Sequence, residues 1–105
     1  MMQQGIEKRE SRRANYPAEV EIQWGSSTIR ARARNLSLGG MLVEMANPLW
    51  MSAEFDAQIA LPEGPLRAHC IVRRVVGGVG IGVEFVEISQ GDMGRLQKLL
   101  ESLPY

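Results

Sequence analysis

Between Val20 and Glu87, apolar and polar residues alternate in short runs, and each run is cut by a connection rich in glycine, proline or small polar residues. A period of two sends successive side chains to opposite faces of an extended chain, so each run reads as a half-buried β-strand. In VEIQW, Val20, Ile22 and Trp24 share one face, and Glu21 and Gln23 the other. In TIRARAR, Ile29, Ala31 and Ala33 alternate with Arg30, Arg32 and Arg34. MLVEM follows, then EFDAQIAL with Phe55, Ala57, Ile59 and Leu61 on one face. LRAHCIVRRVV and IGVEFVE complete six candidates. The connections GSS, NLSLGG, NPLWMS, PEGP and GGVG carry turn-forming residues. Short strands joined this way fit a small antiparallel barrel or sandwich.

After Ser89 the period changes. Met93, Leu96, Leu99, Leu100 and Leu103 recur at helical spacing, which predicts a C-terminal helix over about 89–103. Ser89 with Asp92 three residues on forms a cap signal, weaker than the usual pairing with Glu or Gln. Gly91 and Gly94 lower the helix propensity, and Pro104 stops the helix. The apolar stripe is expected to cover a barrel opening or a sheet edge; a surface for a partner is the sharper reading. Residues 1–16 show neither period and read as a flexible N-terminal arm. Pro17 ends it and leaves residues 17–105 as the folded unit.

At 105 residues one domain is the default. Lys plus Arg and Asp plus Glu both number 12, which argues against a general polyanion binder. The charge is uneven, however: the first thirteen residues hold Lys8, Arg9, Arg12 and Arg13 against Glu7 and Glu10. Cys70 is the single cysteine, so no internal disulfide forms, and a reducing compartment fits. No signal-peptide core and no window of membrane-spanning length is present; a cytoplasmic protein is expected.

Several residues invite functional readings that the pattern does not support. His69 and Cys70 are adjacent, so in a strand they face opposite ways, and no second histidine exists. They form neither a metal site nor a catalytic pair, and are expected as a surface histidine and a buried cysteine. With no catalytic constellation in view, the chain is not expected to be an enzyme or to need a cofactor. GGVGIG, Gly77–Gly82, has no helix after it and reads as a hairpin turn rather than a dinucleotide fingerprint. Trp24 is expected in the core; Trp50, in a loop beside Pro48, is expected to pack under it in the core, the sharper reading being a partner contact. Arg30, Arg32 and Arg34 read as an exposed strand face. Arg73 and Arg74 end a strand and read as solvated, the sharper reading putting one of them within reach of a bound base.

Two stretches remain. In KRESRRANYP, Arg9 and Arg13 stand four residues apart with Arg12 beside them. The plain reading is a solvated basic tail. The sharper one is an anion clamp, because a guanidinium grips phosphate with two parallel hydrogen bonds and also fits the O6 and N7 edge of guanine. In RNLSLGGML the plain reading is strand punctuation, with Gly39 and Gly40 allowing positive φ and Asn35 and Ser37 bonding the local backbone. The sharper one notes that adjacent glycines let a ligand reach main-chain N–H groups, while Asn35 and Ser37 offer donors and acceptors. Strict alternation from Ile29 puts Asn35 on the apolar side, so a bulge or the strand's end must turn it outward.

Taken together, Arg-x-x-x-Arg before the first strand and Asn-x-Ser-x-x-Gly after the second resemble the PilZ domain, the bacterial receptor for cyclic di-GMP. GVGIGVEF is similar to the family's last strand, and the likeness extends over roughly residues 8–100. The resemblance implies a six-stranded antiparallel β-barrel with a C-terminal α-helix, over which the arm folds when ligand binds. By position it implies that Arg9 and Arg13, with Arg12 able to share the role, contact phosphate and guanine. Asn35 and Ser37 would hydrogen-bond guanine or phosphate, and Gly39 and Gly40 would keep the turn shaped and uncrowded. The implied function is a cyclic di-GMP receptor that changes conformation and relays the signal to a protein partner, with an intercalated ligand pair favoured over a single molecule. The alternative is a ligand-independent adaptor of the same fold, against which the arginine motif counts. Binding of single-stranded DNA or RNA is not expected, because such sites stack bases on several aromatics and this chain has six, most with core explanations.

Overall fold

A computed structural model of the chain describes residues 14–103. Six strands, β1 (Ala18–Trp24), β2 (Ser27–Leu36), β3 (Gly40–Glu44), β4 (Glu54–Leu61), β5 (Gly64–Val76) and β6 (Gly80–Ile88), precede one helix, α1 (Gln90–Ser102). The strands close into a barrel in the order β1-β2-β3-β6-β5-β4, each pair antiparallel. Closure leaves no unpaired sheet edge. Each of the six alternating runs is a strand, and the change of period marks the helix. Of the arm expected over residues 1–16, everything through Arg13 lies outside the described residues.

The alternation sorts the side chains as a half-buried strand requires. Val20 and Ile22 of β1, Phe55, Ala57 and Ile59 of β4, and Leu66, Ala68, Cys70 and Val72 of β5 fill the interior. Glu19, Asp56 and Arg67 from the same strands face water.

Antiparallel order fixes what meets at each end. The β2–β3 turn, the β4–β5 turn and the exit from β6 share one end. The β1–β2 turn, the β3–β4 loop and the β5–β6 turn share the other.

Helix α1 crosses the first end and buries Leu96 and Leu100 in the core, so its stripe covers a barrel opening. The Ser89 side chain accepts from the Asp92 N–H at 3.1 Å, as the cap signal predicts. The Asp92 carboxylate does not complete a reciprocal cap. It accepts from the Arg67 N–H at 3.1 Å and pairs with Arg95, which also donates to the carbonyls of Gly64 and Pro65. The helix is thereby pinned to the start of β5.

The second end is plugged by the β3–β4 loop through buried Leu49 and Ala53. Here one expectation fails. Trp50 is not in the core: it is 63% exposed and meets the half-buried Trp24 edge-on, with ring centroids 4.9 Å apart. The loop buries its small neighbours Leu49 and Ala53 instead, and a turn closed by the Ala53 N–H to the Trp50 carbonyl at 3.1 Å holds the indole at the surface.

Candidate functional site

The pairing of β2 with β3 accounts for the orientation of Asn35. Ala33 faces Val43, whereas Asn35 faces Leu42, so β2 carries one extra residue, Arg34. This bulge resets the alternation. Arg34 and Asn35 leave the interior together, and Leu36 takes the inward position with no exposure. Arg34 pairs with Glu44 at 2.9 Å. Asn35 is half-buried on the outer face, beside Leu42.

The turn that follows is held by its own polar groups. Ser37 is the single buried polar residue among those described, at 2% exposure. Its N–H donates to the Gly40 carbonyl at 2.9 Å, its hydroxyl contacts the same carbonyl at 3.3 Å, and its oxygen accepts from the Gly40 N–H at 3.1 Å. The hydroxyl is therefore engaged by the turn's backbone.

The two glycines have different roles, and neither takes the positive φ expected of them. Gly40 is a close-approach residue: a Cβ there would lie 1.9 Å from the Val83 carbonyl oxygen of β6. Gly39 has open space around its missing side chain and accepts from the Phe85 N–H at 2.8 Å. Gly39 is exposed, so the main chain is accessible from outside at this point.

Ala14 lies against the same turn. Its N–H donates to the Leu36 carbonyl at 2.8 Å, and the Leu36 N–H donates to the Ala14 carbonyl at 3.0 Å. Ala14 and Tyr16 also pack on the core. The segment leading into β1 is thus fastened to the end of β2, between Asn35 and Ser37. Arg9, Arg12 and Arg13 lie outside the described residues.

Elsewhere on the barrel the outer charges are mostly paired. Arg73 meets Glu84 at 2.6 Å, and Arg30 meets Glu21 at 3.8 Å. His69 is more than a plain surface residue: Nδ1 is 2.8 Å from Asp56 and Nε2 is 2.8 Å from Glu54. Both contacts are satisfied only when both ring nitrogens carry protons. The hydrogen bond to Asp56, then that to Glu54, raises the imidazole above its ordinary value of 6.5. Sequence alone could not find this cluster, because it depends on the register that sets Asp56 opposite His69. Cys70 is fully buried, and its thiol is pushed up to about 12 by burial, with the nearby Asp56 charge adding to it. At neutral pH it is an inert packing group. Among the described residues no group of His, Cys, Asp and Glu side chains is placed to hold a metal ion, and no helix is long and apolar enough to cross a membrane.

A model of the PilZ domain family matches residues 7–102. Three solved structures share the fold. The inhibitor of motility MotI/DgrA of Bacillus subtilis is 22% identical over 91% of this chain and 53% of its own, with a TM-score of 0.73. YcgR of Escherichia coli, solved in complex with c-di-GMP, is 21% identical over 90% of this chain and 45% of its own, with a TM-score of 0.75. The PilZ domain of CeSA from a cellulose-synthesizing bacterium is 25% identical over 87% of this chain and 99% of its own, with a TM-score of 0.68. The chain thus spans about half the length of the first two. No curated protein sequence matches it.

Proposed function

Because the chain belongs to the PilZ domain family, we propose that it is a cyclic di-GMP receptor, a cytoplasmic module that binds the nucleotide, changes conformation and relays the signal to a protein partner. It acts by binding rather than by catalysis and needs no cofactor. The observation that carries this reading is the bridge between Ala14 and Leu36. Arg13 is covalently next to Ala14, and Leu36 sits between Asn35 and Ser37. The residue that follows the first motif along the chain is therefore paired with a residue inside the second, which supports reading them as one site.

The roles follow from the chemistry. Arg9 and Arg13, with Arg12 as a substitute, supply guanidinium forks for the phosphates and a guanine edge. Asn35 offers an amide on the outer face. Gly39 leaves the main chain open to the ligand. Ser37 and Gly40 act through shape, the first by bracing the turn and the second by letting β3 and β6 approach. If binding fixes the conformation of a segment, the entropy that this costs links ligand affinity to the segment's shape, which is the coupling a receptor needs. The solved complex of YcgR with the same nucleotide supports the choice of ligand.

Isothermal titration calorimetry tests the proposal, with cyclic di-GMP titrated into the wild type and Arg13→Ala and with GTP and short single-stranded DNA as controls. A hydrogen bond to a charged group contributes about 1.5–3 kcal/mol, so the variant should bind roughly ten- to a hundred-fold more weakly. A stoichiometry of two nucleotides per chain would identify the intercalated pair. Absence of cyclic di-GMP binding by the wild type would overturn the receptor reading and leave the ligand-independent adaptor.

A further inference from the structure

We infer that Arg74 is a further ligand-binding residue of this face, one that reads a guanine edge from the opposite end of a cross-strand row to Asn35; the inference rests on the cyclic di-GMP reading above. Its starting point is a second bulge. Along β5, Val72 faces Val83 and Arg74 faces Gly82, so Arg73 is the extra residue. As with Arg34 and Asn35 on β2, the bulge turns two adjacent polar side chains outward, and Arg73 and Arg74 are both exposed.

The two bulges lie on one line. Asn35 of β2 faces Leu42 of β3, Leu42 faces Gly82 of β6, and Gly82 faces Arg74 of β5. A single cross-strand row on the outer face thus runs from Asn35 to Arg74. Gly82 shapes its far end. A Cβ at Gly82 would lie 3.2 Å from Nε and 3.5 Å from Nη2 of Arg74, so the guanidinium rests over the bare glycine of β6. Strands stand about 4.8 Å apart, so two spacings, roughly 10 Å, separate β6 from β2 along the row. Between them lies Leu42, a half-buried apolar floor. That span suits a purine lying over Leu42 with a polar group at either side.

The charge pattern agrees with this placement. On this face Arg34 is paired with Glu44 and Arg73 with Glu84. Among the described residues, Arg74 has no ion-pair partner. It is also partly preorganised, because its guanidinium already lies across the strand and loses less freedom on binding. A planar fork at the end of the row matches the paired acceptors O6 and N7 of guanine; an ammonium group would supply charge without the fork.

The test is titration of cyclic di-GMP into the wild type, Arg74→Ala, Arg74→Lys and Arg73→Ala. All the changes fall at exposed positions, and thermal melts check that each variant stays folded. A bidentate contact of this kind discriminates by about 1–3 kcal/mol, so Arg74→Ala should lose roughly 5- to 150-fold in affinity. Arg74→Lys should also lose about ten-fold or more, because the fork and not the charge is what matters. Arg73→Ala removes the same formal charge and should stay within about three-fold. Arg74→Ala binding like the wild type would overturn the inference while leaving the receptor reading intact. So would Arg74→Lys binding like the wild type, because a point charge would then suffice. A wild type that does not bind cyclic di-GMP would overturn both.

Discussion

The two ends of this barrel are closed in different ways. At the end that carries the Ser37–Gly40 turn, the backbone is fastened to itself: Ser37 grips Gly40, Gly39 takes the Phe85 N–H, and Ala14 pairs with Leu36. The large side chains there, Leu96 and Leu100 of α1, point inward. At the opposite end a loop tucks in Leu49 and Ala53 and leaves Trp50 and Met51 exposed. One end fixes main-chain groups and leaves an accessible polar edge; the other presents bulky side chains. A site that reads phosphates and base edges needs the first kind of surface, because backbone N–H groups and short polar side chains hold their positions with little entropy to lose.

Glycine-rich turns at the two ends differ in the same way. The β5–β6 turn contains Gly78 at φ 76°, a left-handed position that favours glycine for its own backbone. The Ser37–Gly40 turn has no positive φ, and Gly40 is required by the neighbouring strand.

Gly40→Ala puts this contrast under the greatest strain. The new methyl would meet the Val83 carbonyl, and β3 would have to move from β6, with an expected loss of about 3 kcal/mol in urea unfolding. Gly39→Ala, with open space and ordinary φ, should stay within about 0.5 kcal/mol. Equal effects would mean that the two glycines are not divided between shape and access. Ser37→Ala comes next. It leaves the buried Gly40 N–H without the side-chain oxygen that it donates to, at an expected cost of about 1–2 kcal/mol. An unchanged unfolding midpoint would show that the brace is dispensable.

Trp50→Ala should have a smaller effect. The indole is largely exposed and loses one edge-on contact with Trp24, so about 1 kcal/mol is expected, with nucleotide affinity untouched. Weakened nucleotide binding would break the division between the ends.

The smallest effect concerns His69. Its value in the folded chain is raised, so the stability from its two carboxylate contacts is fully present below about pH 6.5 and fades as pH rises through the folded value. His69→Gln should therefore cost most near pH 5.5 and least at pH 8, by less than about 1 kcal/mol because the partners are exposed. A penalty that grows with pH would contradict the assignment.

What the sequence made legible was whatever repeats locally. Alternation marked every strand, and the change of period marked α1, because burial on one face is written directly into residue order. The Asn35–Gly40 motif was legible as chemistry, and even the need for a bulge at Asn35 followed from parity. What could not be read depends on a neighbour far along the chain. The steric demand on Gly40 comes from Val83, the His69 cluster from Asp56 and Glu54, and the saddle for Arg74 from Gly82. Trp50 departs from the usual burial of large aromatics because Leu49 and Ala53 already fill the opening.

The most direct test of the account is a two-dimensional amide NMR titration of the chain with cyclic di-GMP. The account predicts that amides from Asn35 to Leu42 and around Gly82 shift or broaden, while the Trp24 and Trp50 indole signals stay in place. Shifts confined to the Trp50 end, or no shifts at saturating nucleotide, would contradict it.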